Sequence, residues 1–492
     1  MDTNPGRLAR SHKERSPTLR VLGSPLLPLL LLMAVQWVLL DRESEFEPKQ
    51  VNDTHTYVGV LQQETLSDVL SASRTLGYPL FLKLVSPLAP NFGFVPEAHT
   101  LVFFAAVIVV WLGARAYTGS TWLGFAFAAP MVFADLFSIV GRVQADFLSC
   151  ALAVAALGML AWSAGSPRRC VPVWLLALLV FAAYQTRPSY LFLIGFVPAI
   201  GAILWLFRHA FSWRGVVGWL AAVCLASGIP FLLFCALRWA TVGHFGVVSY
   251  GGVNAIGIAV VLMDSEAVRN LPPEVKPLGE RIYRKVRMGQ DRVRPYPPNL
   301  GGAAYRYNRI VWRTSYPLAV EVVTEKGLEA SGETQGQFDE PPSLVEVNQL
   351  LTDLSLAMFR SRPGRYLEWI LESFGRTTKR VVRRPWIRIP GLLLIASILG
   401  LAFWRCVKFV LRRAPPAKVD GLGRAGLLAA LGLALLGVGY YVCHLLLIVA
   451  VEIPLHRYTV STTPLLAGSL TGLLAAFWSP VLFRTLSARE RR

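Results

Sequence analysis

The sequence predicts an all-α polytopic membrane protein with about 10 transmembrane helices and further interfacial helices on its extracytoplasmic side. Three observations lead there. The 492 residues are 54% hydrophobic and only 16% charged, a balance that a soluble protein of this length rarely has. Apolar runs of roughly 18 or more residues recur along the chain, each long enough to cross ~30 Å of hydrocarbon. Many of the Arg and Lys residues lie in short loops between the runs, where they set orientation. Much of the net charge of +19 therefore belongs to membrane topology, and nucleic acid is not the expected partner.

Ten spans are expected, near 20–40, 98–115, 121–140, 143–163, 171–186, 190–207, 216–236, 388–411, 425–451 and 460–483. The first, "LGSPLLPLLLLMAVQWVLL", follows a basic N-terminus but lacks a small-residue cleavage site, so it reads as a retained signal anchor. Arg7, Arg10, Lys13 and Arg15 put the N-terminus in the cytoplasm. Arg168 and Arg169, Arg208 and Arg214, and the stretch "RCVKFVLRRAPPAK" mark later cytoplasmic loops, and the tail "RTLSARERR" returns to that side. The expected location is a bacterial inner (plasma) membrane. The chain reads as a single integral-membrane domain over 1–492, with no internal repeat. Six cysteines lie mostly in or near apolar runs and form no CxxC, so neither a disulfide framework nor a cysteine metal site is expected.

Two long segments then lie outside, 41–97 and 237–387. Within the first, Leu76, Leu80, Leu84, Val85 and Leu88 share one helical face, with Pro79 suited to a first turn. Within the second, "RPGRYLEWILESFGR" spaces Leu367, Ile370, Leu371 and Phe374 as a helix does. Both read as helices lying in the membrane interface.

The same outer side collects polar residues. "VNDTHTYVGV" (51–60) carries Asp53, His55 and Tyr57, and Arg74 follows. "VGRVQAD" supplies Arg142 and Asp146, "YQTRPSY" supplies Arg187, and "VEIPLHRYTV" supplies Glu452, His456, Arg457 and Tyr458. Every short outer loop thus carries an arginine. Arginines at helix ends also snorkel, and Asp146 stands at the i, i+4 spacing for a local pair with Arg142. Taken together, an acid with several arginines on one membrane face suits a phosphate-bearing substrate, because guanidinium pairs with phosphate through two parallel hydrogen bonds. "SYGGVN" (249–254) is expected to form a turn above the membrane. Its glycines would let the backbone approach a ligand, and Tyr250 and Asn254 offer hydrogen bonds.

In order and sidedness, several stretches resemble the GT-C superfamily of integral-membrane glycosyltransferases. The branch concerned is that of bacterial proteins similar to dolichyl-phosphate-mannose–protein mannosyltransferases (glycosyltransferase family 39-like). The stretches are Asp53 followed by Tyr57, "RTLGYPLFLKLV" (74–85) with Arg74 and Tyr78, "GHFGVVSYGGVNAIGIA" (243–259), "SRPGRYLEW" and "EIPLHRYTVSTTPLL". The sequence departs from the branch where Thr54 replaces a second acid after Asp53 and where Leu76 stands in place of proline. Glu64, Asp68 and Glu452 remain as candidates for that second acid.

The resemblance implies a GT-C-like fold and transfer of a sugar from a polyprenyl-phosphate donor to a glycan, lipid or protein acceptor outside the membrane. It implies Asp53 as general base and a single displacement that inverts the anomeric centre. Arginines would stabilise the phosphate leaving group, and no ligand spacing calls for a metal or other cofactor. Two other readings stay open: a polyprenyl-linked glycan ligase or polymerase, and a lipid or solute transporter.

Overall fold

The computed structural model describes residues 25–166, 171–209, 213–288, 306–331, 343–412 and 421–489. The charges expected to orient the chain at Arg7, Arg10, Lys13, Arg15, Arg168 and Arg169 lie outside the described residues. Among those described the protein is all-helical, without a strand. Among the described residues seven helices are long and apolar enough to cross a membrane: Val95–Thr118, Thr121–Ile139, Ala145–Gly165, Pro188–Arg208, Trp213–Val242, Gly426–Val451 and His456–Trp478. Each matches an expected span.

The other three expected spans are also helical where they are described. Leu26–Arg42 has 17 residues, about 25 Å at 1.5 Å per residue, and Val171–Thr186 begins where the described residues resume. Pro385–Arg412 has 28 residues and is apolar over Pro385–Gly400, the part whose side chains are described. The 121–140 segment is not one continuous α-helix. It stops at Ala128 and goes on as tight 3₁₀ turns over Ala129–Phe133 and Asp135–Ile139. Pro130 removes a backbone donor at the break. Met131, Val132 and Leu136 bury the irregular stretch against neighbouring helices, where such backbone is tolerated.

Ala145–Gly165 is the central helix, buried nearly all round. It packs closely on Val95–Thr118 because the contact is made by small residues. A Cβ on Gly113 would stand 2.0 Å from the Gly158 carbonyl oxygen. Dispersion between touching backbones replaces the hydrophobic drive that lipid does not supply.

Both segments expected to lie in the interface are helical. Gly77–Val85 and the turn after it leave Leu80, Leu84 and Leu88 exposed, while Val85, expected on that face, turns inward. Pro363–Val382 exposes Leu367 and Leu371, whereas Ile370 and Phe374 pack inward. The segment after 242 builds a second core of its own. Gly251–Leu262, Lys276–Met288, Tyr316–Ser331 and Leu344–Ser361 enclose Ile256, Leu278, Ile310 and Leu351, and the unit meets the spans through Ile453 and Leu455.

Candidate functional site

Five chain segments deliver polar side chains to one end of the helix bundle. The first is fixed by an isolated parallel bridge between Lys49 and Arg142. Its hydrogen bonds run from Lys49 N to Gly141 O (2.7 Å) and from Val143 N to Lys49 O (3.1 Å). The Thr54 hydroxyl accepts from Val51 N at 2.9 Å and donates to Val143 O at 3.0 Å. Thr54 therefore pins the start of Asn52–Leu61 to the Arg142 turn. Asp53 lies in the first turn of that helix, where the positive end of the helix dipole favours a carboxylate.

Asp53 is held by two arginines from opposite ends of the sequence. Arg74 Nη2 lies 2.9 Å from Oδ1, and Arg457 Nη1 lies 2.7 Å from Oδ2. Burial alone would raise the Asp53 carboxyl, but the guanidiniums of Arg457 and Arg74 outweigh it and hold the group below the usual carboxylate range. Arg457 also donates to Gln144 Oε1 at 3.2 Å and to the Tyr458 hydroxyl at 2.9 Å. That hydroxyl donates in turn to Glu452 Oε1 at 2.8 Å. Burial pushes the Glu452 carboxyl up, against the pull of Arg457 and Arg187.

Pro454 breaks the chain between the Gly421–Val451 helix and the short His456–Ser461 helix, turning Glu452, Arg457 and Tyr458 towards the same space. Arg187 has extended backbone, as the residue before Pro188 prefers. It forms an ion pair with Asp146, and its guanidinium stacks 4.4 Å from the centre of the Tyr458 ring. The Arg74 guanidinium lies between two rings, 5.1 Å from the centre of Tyr57 and 5.3 Å from that of Tyr250.

These groups surround a cavity of about 1520 Å³. Asp53, Tyr57, Arg74, Arg142, Arg187, Tyr250, Asn254, Glu452, His456, Arg457 and Tyr458 all line it. Two expected binding residues do not. Tyr78 is fully buried behind Tyr57, edge-to-face with it at 4.8 Å, so it supports the wall rather than forming it. Asp146 is 1% exposed and pairs with Arg187, in the turn before Pro188, not with Arg142 four residues before it. The Asp146 carboxylate anchors a wall arginine, and Arg142 has no ion pair among the described residues. His456 meets Ser138 Oγ through Nε2 at 3.4 Å.

The 249–254 stretch also corrects its expectation. Tyr250 begins a helix, Gly251–Leu262, instead of a turn. Gly252 serves helix packing rather than ligand approach, since a Cβ there would stand 2.3 Å from Asn348 O. Its N–H donates to Asn348 Oδ1 at 2.9 Å. Of the candidates for a second acid, Glu452 lines the cavity, while Asp68 is taken up in capping its own helix through Thr65.

Gln144, Tyr307, Asn308, Trp312 and Tyr316 also line the cavity and were not singled out in the sequence. Gln144 stood inside a quoted motif, whereas the aromatic group lies where no pattern marks it. Among the described residues no group of three or more His, Cys, Asp or Glu is placed to hold a metal. Comparison with protein-family models, curated proteins and solved structures finds no match.

Proposed function

We propose that the protein is a GT-C-type membrane glycosyltransferase that moves a sugar from a polyprenyl-phosphate donor to an acceptor at the extracytoplasmic membrane surface. One observation carries the reading. A carboxylate held by two arginines from distant segments faces a large cavity at the membrane-end turns of apolar helices. A lipid-borne phosphate reaches such a place from the bilayer and an acceptor reaches it from water.

In the proposed reaction the acceptor hydroxyl attacks the anomeric carbon. The bond from that carbon to the phosphate oxygen breaks, and polyprenyl phosphate leaves with the electron pair. Asp53 takes the hydroxyl proton as general base, and arginines meet the charge growing on the phosphate. Attack in one step inverts the anomeric configuration. Both Asp53 oxygens accept from guanidiniums, so the donor phosphate would have a second effect. By drawing Arg457 or Arg74 to itself it frees a carboxylate oxygen and restores its basicity.

The test is single-turnover transfer by the purified chain from polyprenyl-linked sugars, together with mass spectrometry of cell-envelope glycans with and without the gene. Transfer in the first and a missing glycan in the second support the reading. No transfer from any such donor, with envelope glycans unchanged, removes it.

A further inference from the structure

One wall of the cavity is unlike the ionic centre. Residues 306–331 run as a single helix that widens into a π-turn over Val311–Ser315. The cause is local. Pro317 has no N–H, so the usual hydrogen bond to the Arg313 carbonyl cannot form. The ladder shifts register, and Tyr316 N–H bonds back to Val311 O, five residues before it. A π-turn costs hydrogen-bond geometry and recurs where a side chain must be re-aimed for use.

The side chain in this widened turn is Trp312. It lines the cavity and remains 47% exposed. The Trp312 ring centre lies 6.2 Å from that of Tyr250 and 5.5 Å from that of Tyr316. Tyr250 in turn lies over Arg74, which pairs with Asp53. The three rings therefore form a continuous aromatic path leading away from the carboxylate. Asn254 and Asn308 line the same cavity and bring side-chain amides, each with donors and an acceptor.

We infer that the wall formed by Tyr250, Trp312, Tyr316, Asn254 and Asn308 is an acceptor subsite for a saccharide. Aromatic faces cover the apolar C–H faces of sugar rings, and the amides answer the hydroxyls at their rims. The acceptor reacting at Asp53 is then a glycan, or a lipid carrying one, and not a protein side chain. The inference rests on the glycosyltransferase reading and names the acceptor that reading leaves open.

The test uses the full chain in lipid nanodiscs and two probes. One is a set of neutral trisaccharides of glucose, mannose, galactose and arabinose, read by saturation-transfer NMR. The other is unglycosylated polyprenyl phosphate, read by direct binding. At least one trisaccharide should bind the wild type. Trp312→Ala should weaken it about tenfold, a loss on the scale of one removed apolar contact face, and Trp312→Phe should restore most of it. Polyprenyl phosphate should bind all three proteins equally, which also shows that the variants are folded.

Trisaccharide binding that is absent from the wild type, or equal in wild type and Trp312→Ala, overturns the subsite. So does displacement of the trisaccharide by no sugar but by a Ser/Thr-rich peptide. A wild type that fails to bind polyprenyl phosphate while it binds trisaccharide overturns the donor reading instead.

Discussion

Replacing Asp53 by Asn tests the centre of the site with a near-isosteric change. The N–O separations of 2.9 and 2.7 Å put each pair of charge centres about 4 Å apart, so each attraction is about 4 kcal/mol at an effective dielectric near 20. Desolvation offsets much of this in the folded protein. Removing one partner is different, because it leaves Arg74 and Arg457 facing each other without their counter-ion. The Asp53 side chain is 22% exposed, so the expected loss of stability is about 3 kcal/mol, the low end for a broken buried pair.

Two functional effects should then diverge. Sugar transfer should fall by roughly 10²-fold or more, as loss of a positioned base does. Binding of polyprenyl phosphate should tighten, by about tenfold if a third of one pair's attraction is released, since the arginines no longer have to leave a carboxylate. The assay is single-turnover transfer and polyprenyl phosphate binding on the same folded preparation. Transfer at the wild-type rate would show that another group takes the proton, with Glu452 next in line. Weaker phosphate binding by Asp53→Asn would show that these arginines do not serve the donor.

Four other outcomes are expected. Arg187→Ala should destabilise the protein by about 3 kcal/mol or more because it leaves Asp146 charged at 1% exposure, while Arg142→Ala should cost little stability and weaken polyprenyl phosphate binding; thermal unfolding and direct binding separate the two. Glu452→Gln keeps an acceptor for Tyr458 but carries no charge. The folded-state pKa of Glu452 is raised, so ionising it costs stability as pH rises through that value. Thermal melts of Glu452→Gln and wild type should agree in acid and separate in favour of the variant as pH rises above the usual carboxylate range. Gly252→Ala should lower the melting temperature, since its Cβ would press on Asn348 O at 2.3 Å and overpacking costs about 1–3 kcal/mol. Cysteines placed at Glu43 and Asn270, both exposed, should react with an impermeant reagent from the same, extracytoplasmic side of the membrane; labelling of only one of them from that side would break the proposed arrangement.

The sequence by itself determined the helical membrane class, because long apolar runs have few ways to satisfy their backbone in lipid except as helices. It also singled out many of the polar residues that line the cavity. Asp53, Arg187 and Arg457 are costly residues at the margins of apolar runs, and cost of that kind is visible one residue at a time. Pairing was not visible. Asp146 looked like a partner for Arg142 because spacing along one helix is all that a sequence offers, and only the packing of Ala145–Gly165 against the Arg187 turn chose the other arginine. Gly252 looked like a ligand contact because glycine marks close approach without naming what approaches, and the tertiary structure supplied the helix of Asn348. The aromatic wall around Trp312 was the least legible part. A π-turn depends on which carbonyls lose their donors, and which face it turns towards a cavity depends on how separate helices pack. Local chemistry therefore identified the residues under strain or charge, and three-dimensional packing decided which of them meet.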